Sequence, residues 1–286
     1  MSDDRESVGM AGEQWPFGAP IVVLGVSCSG TKLLSEIIGS HSSVKLFTEH
    51  KPERIYSGAN VARIRDHELW RQYFSFPGGR RLLRSVPVCE ELFAIDDTAV
   101  TKMRDQYETF AKGYRIAVKN PQNIARLDVV RRIFPEGVYI FAARHPFGIL
   151  QSAYRGAIQT RTWYGYWRRR PYLRTKECLD SIPQRDILAR ISHGIGKMAA
   201  AFDAMPDVPR IIVRYEDITT NTQPSIDDLY GDLFGEKPPI DVYALPQSNV
   251  RDTSKVKKLL SASPRSGDAF RWIDHYARTF GYDVNR

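Results

Sequence analysis

Cysteine is scarce in this chain of 286 residues: Cys28, Cys89 and Cys178 are the whole supply. An odd, widely spaced set indicates neither a disulfide framework nor a zinc site, and it fits a reducing, cytoplasmic compartment. Long apolar runs are missing too, so no membrane-spanning segment is expected. Residues 1–19 lack the apolar heart of a secretory signal; polar and rich in glycine and proline, they read as a flexible tail. No groove-reading motif for nucleic acid is present, nor any internal repeat or low-complexity tract. The rest of the composition is ordinary: 42% hydrophobic and 26% charged residues suit a globular protein. The length suits one sizeable α/β domain, expected over residues 20–286, with an insertion. A net charge of +8 attracts anionic ligands without choosing among nucleotide, acidic glycan, nucleic acid and membrane surface. It says nothing of oligomeric state.

The most informative stretch is Pro20 to His41, PIVVLGVSCSGTKLLSEIIGSH. An apolar run, Ile21 to Leu24, meets a loop bounded by Gly25 and Gly30. Then Leu33, Leu34, Ile37 and Ile38 recur at the spacing of one helix face. Strand, loop and helix in this order gather backbone N–H groups and the positive end of a helix dipole around one small volume, a site for phosphate or sulfate. The loop approaches the nucleotide-binding pattern GxxxxGK[ST], but Gly30 is followed by Thr31 and then Lys32. The hydroxyl that would hold magnesium falls where Lys32 stands, and an ammonium cannot ligate a metal. A metal-free anion donor therefore fits better than Mg-ATP. The plainer alternative is a glycine turn that lets a strand pack on a helix.

Further along, Val44 to Phe47 reads as a strand that delivers Thr48, Glu49 and His50 to an edge, and Glu53 to Lys112 is mostly helical in character. Tyr114 to Val118 is again strand-like and runs into Lys119, Asn120 and Pro121. A helix follows with Ile124, Leu127, Val130 and Phe134 on its core face. Val138 to Ala142 is a strand that leads to Arg144, His145 and a helix from Phe147. Thr160 to Lys176 mixes arginines with tryptophans and tyrosines; it is either a packed amphipathic segment or a wall that binds an acceptor by stacking and charge. A helix over Gln184 to Met205, a strand over Pro209 to Arg214 and a helix over Pro224 to Phe234 complete the alternation. Such alternation predicts a mostly parallel sheet covered by helices on both faces, with ligands at the carboxyl ends of the strands. Gly25 to Thr31, Lys119 and Arg144 all lie at such ends.

With these residues in place, the chain resembles the sulfotransferases that use 3′-phosphoadenosine 5′-phosphosulfate (PAPS). GVSCSGTKLL looks like the family's 5′-phosphosulfate loop, and in ARHPFGILQSAYR the positions of Arg144 and Ser152 match the arginine and serine that hold the 3′-phosphate. VKNP at Val118 to Pro121, the pair Phe134 and Pro135, and VRYEDI at Val213 to Ile218 support the match. The resemblance implies metal-independent, in-line transfer of a sulfonate from PAPS to a hydroxyl or amine of a small molecule, glycan or lipid, leaving adenosine 3′,5′-bisphosphate (PAP). It implies one α/β domain with a helical, aromatic insertion at about 155–205 on the acceptor side. Ser27, Cys28, Ser29, Gly30, Thr31 and Lys32 would hold the 5′-phosphate. Arg265, with Lys255, would reach the 3′-phosphate from the C-terminal stretch. Family loops often carry Lys or Arg where this chain has Cys28, so Lys119 or Lys32 would supply the missing charge. Glu49 matches the general base of glycan-modifying relatives; His50 is its rival. His145 is expected to steady its turn, and Glu216 and Asp217 to cap a strand end. The alternatives are a P-loop kinase, which lacks its magnesium hydroxyl here, and a catalytically silent protein that binds nucleotides or polyanions.

Overall fold

The computed structural model describes residues 18–48, 63–65, 96–155, 187–238 and 253–284. Within them the strands are β1 (Ile21–Leu24), β2 (Val44–Thr48), β3 (Arg63–Arg65), β4 (Arg115–Lys119), β5 (Val138–Ala143) and β6 (Arg210–Arg214). The helices are α1 (Thr31–Gly39), α2 (Asp97–Ala111), α3 (Leu127–Ile133), α4 (Pro146–Tyr154), α5 (Ile187–Asp203), α6 (Tyr215–Thr220), α7 (Thr222–Phe234), α8 (Ser254–Ser261) and α9 (Ser266–Phe280). The strands pair in the order β3-β2-β4-β1-β5-β6, every pair parallel.

A parallel strand covered on both faces has no polar side and should be apolar throughout. β1 is IVVL, fully buried at every position. Its alternate side chains divide the core in two: Ile21 and Val23 join α1, α6 and α7, whereas Val22 and Leu24 join α2 to α5, α8 and α9. Each such aliphatic side chain contributes roughly 2 kcal/mol when taken wholly out of water.

This division places a crevice. The chain leaves β1 toward one face, into α1, and leaves the adjacent β5 toward the other, into α4. Where neighbouring strands send their connections to opposite faces, their carboxyl ends are left with an open groove. The loop after β1 and the turn at Arg144 and His145 border it.

Three sequence expectations change. The span 53–112 holds a strand, β3, as well as helix α2; β3 is the edge strand beside β2, and its sequence RIR has no apolar run to betray it. The helix expected after Pro121 begins as a 3-10 segment, Pro121–Arg126, where the Arg126 guanidinium donates to Asn123 Oδ1 at 3.0 and 2.7 Å. The end of the expected insertion is a core element: α5 buries Leu188, Ile191, Ile195 and Met198 in the cluster that also holds Ile273 and Tyr276 of α9. The aromatic-basic segment Thr160 to Lys176 lies outside the described residues, and so does the tail over 1–17. Among the described residues no helix is long and apolar enough to cross a membrane.

Candidate active site

The loop after β1 is tight. A Cβ at Gly25 would collide with the Thr31 methyl and lie 2.7 Å from Ser29 Oγ and 3.1 Å from the Ala142 carbonyl oxygen. Ser29 is buried and donates both its N–H (3.1 Å) and its hydroxyl (2.8 Å) to the Val26 carbonyl, which holds the turn. Cys28 (φ 72°) and Gly30 (φ 95°) are both left-handed. For Gly30 that is free of strain; for Cys28 it costs about 1 kcal/mol. A Cβ at Gly30 would come 2.5 Å from the Tyr215 ring, so glycine there admits an aromatic face onto the loop.

Gly30 leads into α1, whose N-terminus has neither a side-chain cap nor an acidic residue in its first turn. Its leading N–H groups and dipole therefore meet no acidic side chain from the helix's own first turn. Thr31 is buried at that end, and Lys32 is half-buried beside it.

Arg144 closes the other side. It is the first residue beyond β5, and its side chain runs past Gly148, where a Cβ would lie 3.3 Å from its Nε. Nη1 donates to the Cys28 carbonyl at 3.0 Å, and the guanidinium lies 4.4 Å from the centre of the Tyr215 ring. The fork is thus tied to the β1 loop, and cation–π contact supports its plane. His145 donates its N–H to Glu216 Oε1 at 2.9 Å, and Tyr282 donates its hydroxyl to Glu216 Oε2 at 3.0 Å. Glu216 thus caps a strand end, that of the neighbouring β5, because parallel pairing puts the end of β6 beside that of β5. Pro146 opens α4, where its fixed φ and missing N–H suit the first helical position. Ser152 sits half-buried two turns further along.

Lys119 is the last residue of β4 and 2% exposed, in register with Val23 of β1 and Thr48 of β2. Lysine is almost never this buried without a specific reason. Arg265 immediately precedes α9 and is half-buried, while Lys255 extends from α8 with its Nζ 5.4 Å from the centre of the Tyr154 ring on α4. Glu49 and His50 follow Thr48 directly and lie outside the described residues. Sequence reasoning passed over three tyrosines. Tyr215 stands inside the quoted VRYEDI and could have been suspected from its position at a strand end; Tyr276 and Tyr282 carry no local signal.

A family model described as the sulfotransferase family matches residues 20–234. Among solved structures, sulfotransferase STF9 from Mycobacterium avium is similar at a TM-score of 0.57 and 12% identity, over 93% of this chain and 77% of its own. A sulfotransferase domain from the curacin biosynthetic pathway matches at 0.51 and 16%, over 95% of this chain and 100% of its own. A sulfotransferase from Alicyclobacillus acidocaldarius matches at 0.50 and 12%, over 93% and 97%. At these identities the likeness is one of fold. No curated protein sequence matches the chain.

Proposed function

We propose, from the premise that the chain belongs to the sulfotransferase family, that it moves a sulfonate from PAPS to a hydroxyl or amine of a small-molecule, glycan or lipid acceptor. The observation that carries the reading is the bond from Arg144 to the Cys28 carbonyl: two anion-binding devices, a helix N-terminus and an arginine fork, are tied together across one groove. That suits a ligand with two anionic ends on one ribose, as in PAPS and PAP.

PAPS, when bound, supplies the activated sulfonate. The chain's own part is to hold and to stabilise. The α1 N-terminus, with Thr31 and Lys32, receives the 5′-phosphate. Arg144 takes the 3′-phosphate with two charge-assisted bonds, aided by Ser152 and by Arg265 or Lys255. Lys119 stands one strand away from the loop and meets charge that develops as the S–O bond breaks, by analogy with phosphoryl transfer. Glu49, or His50 in its place, removes the acceptor's proton.

PAP should raise the melting temperature without added magnesium, and Mg-ATP should do little, because a ligand stabilises only the state that binds it. A larger, magnesium-dependent shift with ATP overturns the reading in favour of a kinase. Arg144→Ala should weaken PAP binding by roughly 2 kcal/mol, about thirtyfold, the scale of a lost charge-assisted contact. Ser152→Ala should cost less. Calorimetry in which both bind as the parent does removes the 3′-phosphate assignment.

Cys28 favours one second reading, a binder without turnover, since the loop lacks the cation often found there in the family. Mass spectrometry decides between the two: incubation with PAPS and a metabolite extract yields a sulfonated product only if the protein is an enzyme.

A further inference from the structure

The last paired residues of β5 are Phe141 against Leu24 of β1 and Ala143 against Arg214 of β6. Arg144 lies past both, so its N–H and C=O enter the groove beyond the reach of either ladder. One atom serves both groups. The Tyr276 hydroxyl accepts from the Arg144 N–H at 3.1 Å and donates to the Arg144 carbonyl at 3.2 Å, from 132 residues away. Tyr276 is 0% exposed in the middle of α9. Burying a hydroxyl is costly unless it is bonded, and this one uses a donor and an acceptor on a single residue. Phenylalanine would fill the same space and do neither.

The surroundings act on the same turn. The Tyr282 ring lies parallel to that of Tyr276, 6.2 Å between centres, and its hydroxyl donates to the Glu216 carboxylate that holds the His145 N–H. Arg214 Nε donates to the Phe280 carbonyl at 3.1 Å and so fixes the end of α9 to the end of β6.

We infer that Tyr276 is a positioning residue for the donor: its hydroxyl sets the main chain of Arg144 and through it the direction of the guanidinium. This rests on Arg144 as the holder of the 3′-phosphate. The contact would move a ligand's 3′-end far more than its 5′-end, because the 5′-phosphate loop belongs to β1 and α1.

The test compares PAP with 5′-AMP, which has no 3′-phosphate, by calorimetry. Tyr276→Phe should raise the Kd of PAP about tenfold, the effect of two lost neutral hydrogen bonds, and that of AMP by less than about twofold. Donor KM should rise similarly while kcat at saturating donor stays within about twofold. In an Arg144→Ala background the same substitution should add less than about twofold to the PAP effect, since the pair acts as one unit. The control is Tyr230→Phe. Tyr230 is also buried, but its hydroxyl donates to the Ile37 carbonyl, at 2.6 Å, in the other half of the core. It should lower the melting temperature without separating PAP from AMP.

Equal weakening of both ligands by Tyr276→Phe makes the residue merely structural and overturns the inference. Unchanged PAP binding by Tyr276→Phe, with Arg144→Ala impaired, does the same. Arg144→Ala binding PAP as the parent does overturns the phosphate assignment itself and the inference with it. If Tyr276→Phe does not fold, Glu216→Ala, which frees the His145 N–H of the same turn, is measured in its place against the same outcomes.

Discussion

Lys119→Met should lower kcat by roughly 100-fold or more and change donor Kd little, the pattern for a group that acts where charge develops. Charge gathers on the bridging and equatorial oxygens only as the S–O bond lengthens, so a cation there stabilises the transition state much more than the bound donor. The register is compatible with this proposed role for Lys119. It ends β4, beside β1, whose loop is the proposed 5′-phosphate site, and it is buried where water cannot screen its charge. Methionine keeps the length of the apolar stem, so the comparison tests charge more than packing. Lys32 is the alternative source of charge. It lies in the first turn of α1, at the proposed phosphate end of the groove, and Lys32→Met should mainly raise donor Kd. Measuring both constants in both variants separates the roles. The reverse pattern gives the catalytic charge to Lys32, and parental turnover in both shows that neither stands in for the cation missing at Cys28.

The second large effect concerns the acceptor's proton. Glu49→Gln should leave PAP binding intact and lower turnover by roughly 100-fold or more, the usual share of a general base. Thr48 is buried, in register with Lys119, and is the last residue of β2, at the carboxyl edge of the sheet. Of the two residues that follow, glutamate is the proposed base, and histidine the rival because its ordinary pKa already lies near neutrality. Near-parental turnover in Glu49→Gln together with collapse in His50→Asn transfers the role to His50.

What could be read from sequence follows the range of the forces involved. β1, its loop and α1 were legible because an apolar run, two glycines and one helix face all lie within Ile21 to Ile38. The turn at Arg144 was legible for the same reason, as a strand end, a proline and a helix in direct succession. β3 was not, because an edge strand need not bury both faces and RIR therefore shows no period. The left-handed backbone at Cys28 was hidden, since that conformation usually announces itself through glycine or asparagine. Which strand end Glu216 caps was not legible, because nothing local tells a carboxylate that serves its own strand from one that serves the neighbouring strand. Tyr276 was invisible: its partner is 132 residues away, and only the docking of α9 brings them together.

That docking also sets an order of events. Parallel strands cannot be joined by hairpins, and each pairing closes a long loop before it gains its contacts. β1, α1 and β5 can assemble from the N-terminal half of the chain, but the main chain of Arg144 is not held until α9 has packed on α5. A polypeptide emerging from the ribosome N-terminus first would carry a formed phosphate loop well before it carried an aimed guanidinium. Affinity for the donor would then be the last property the chain acquires, and its appearance during refolding would report the arrival of α9 in a way that secondary structure alone does not.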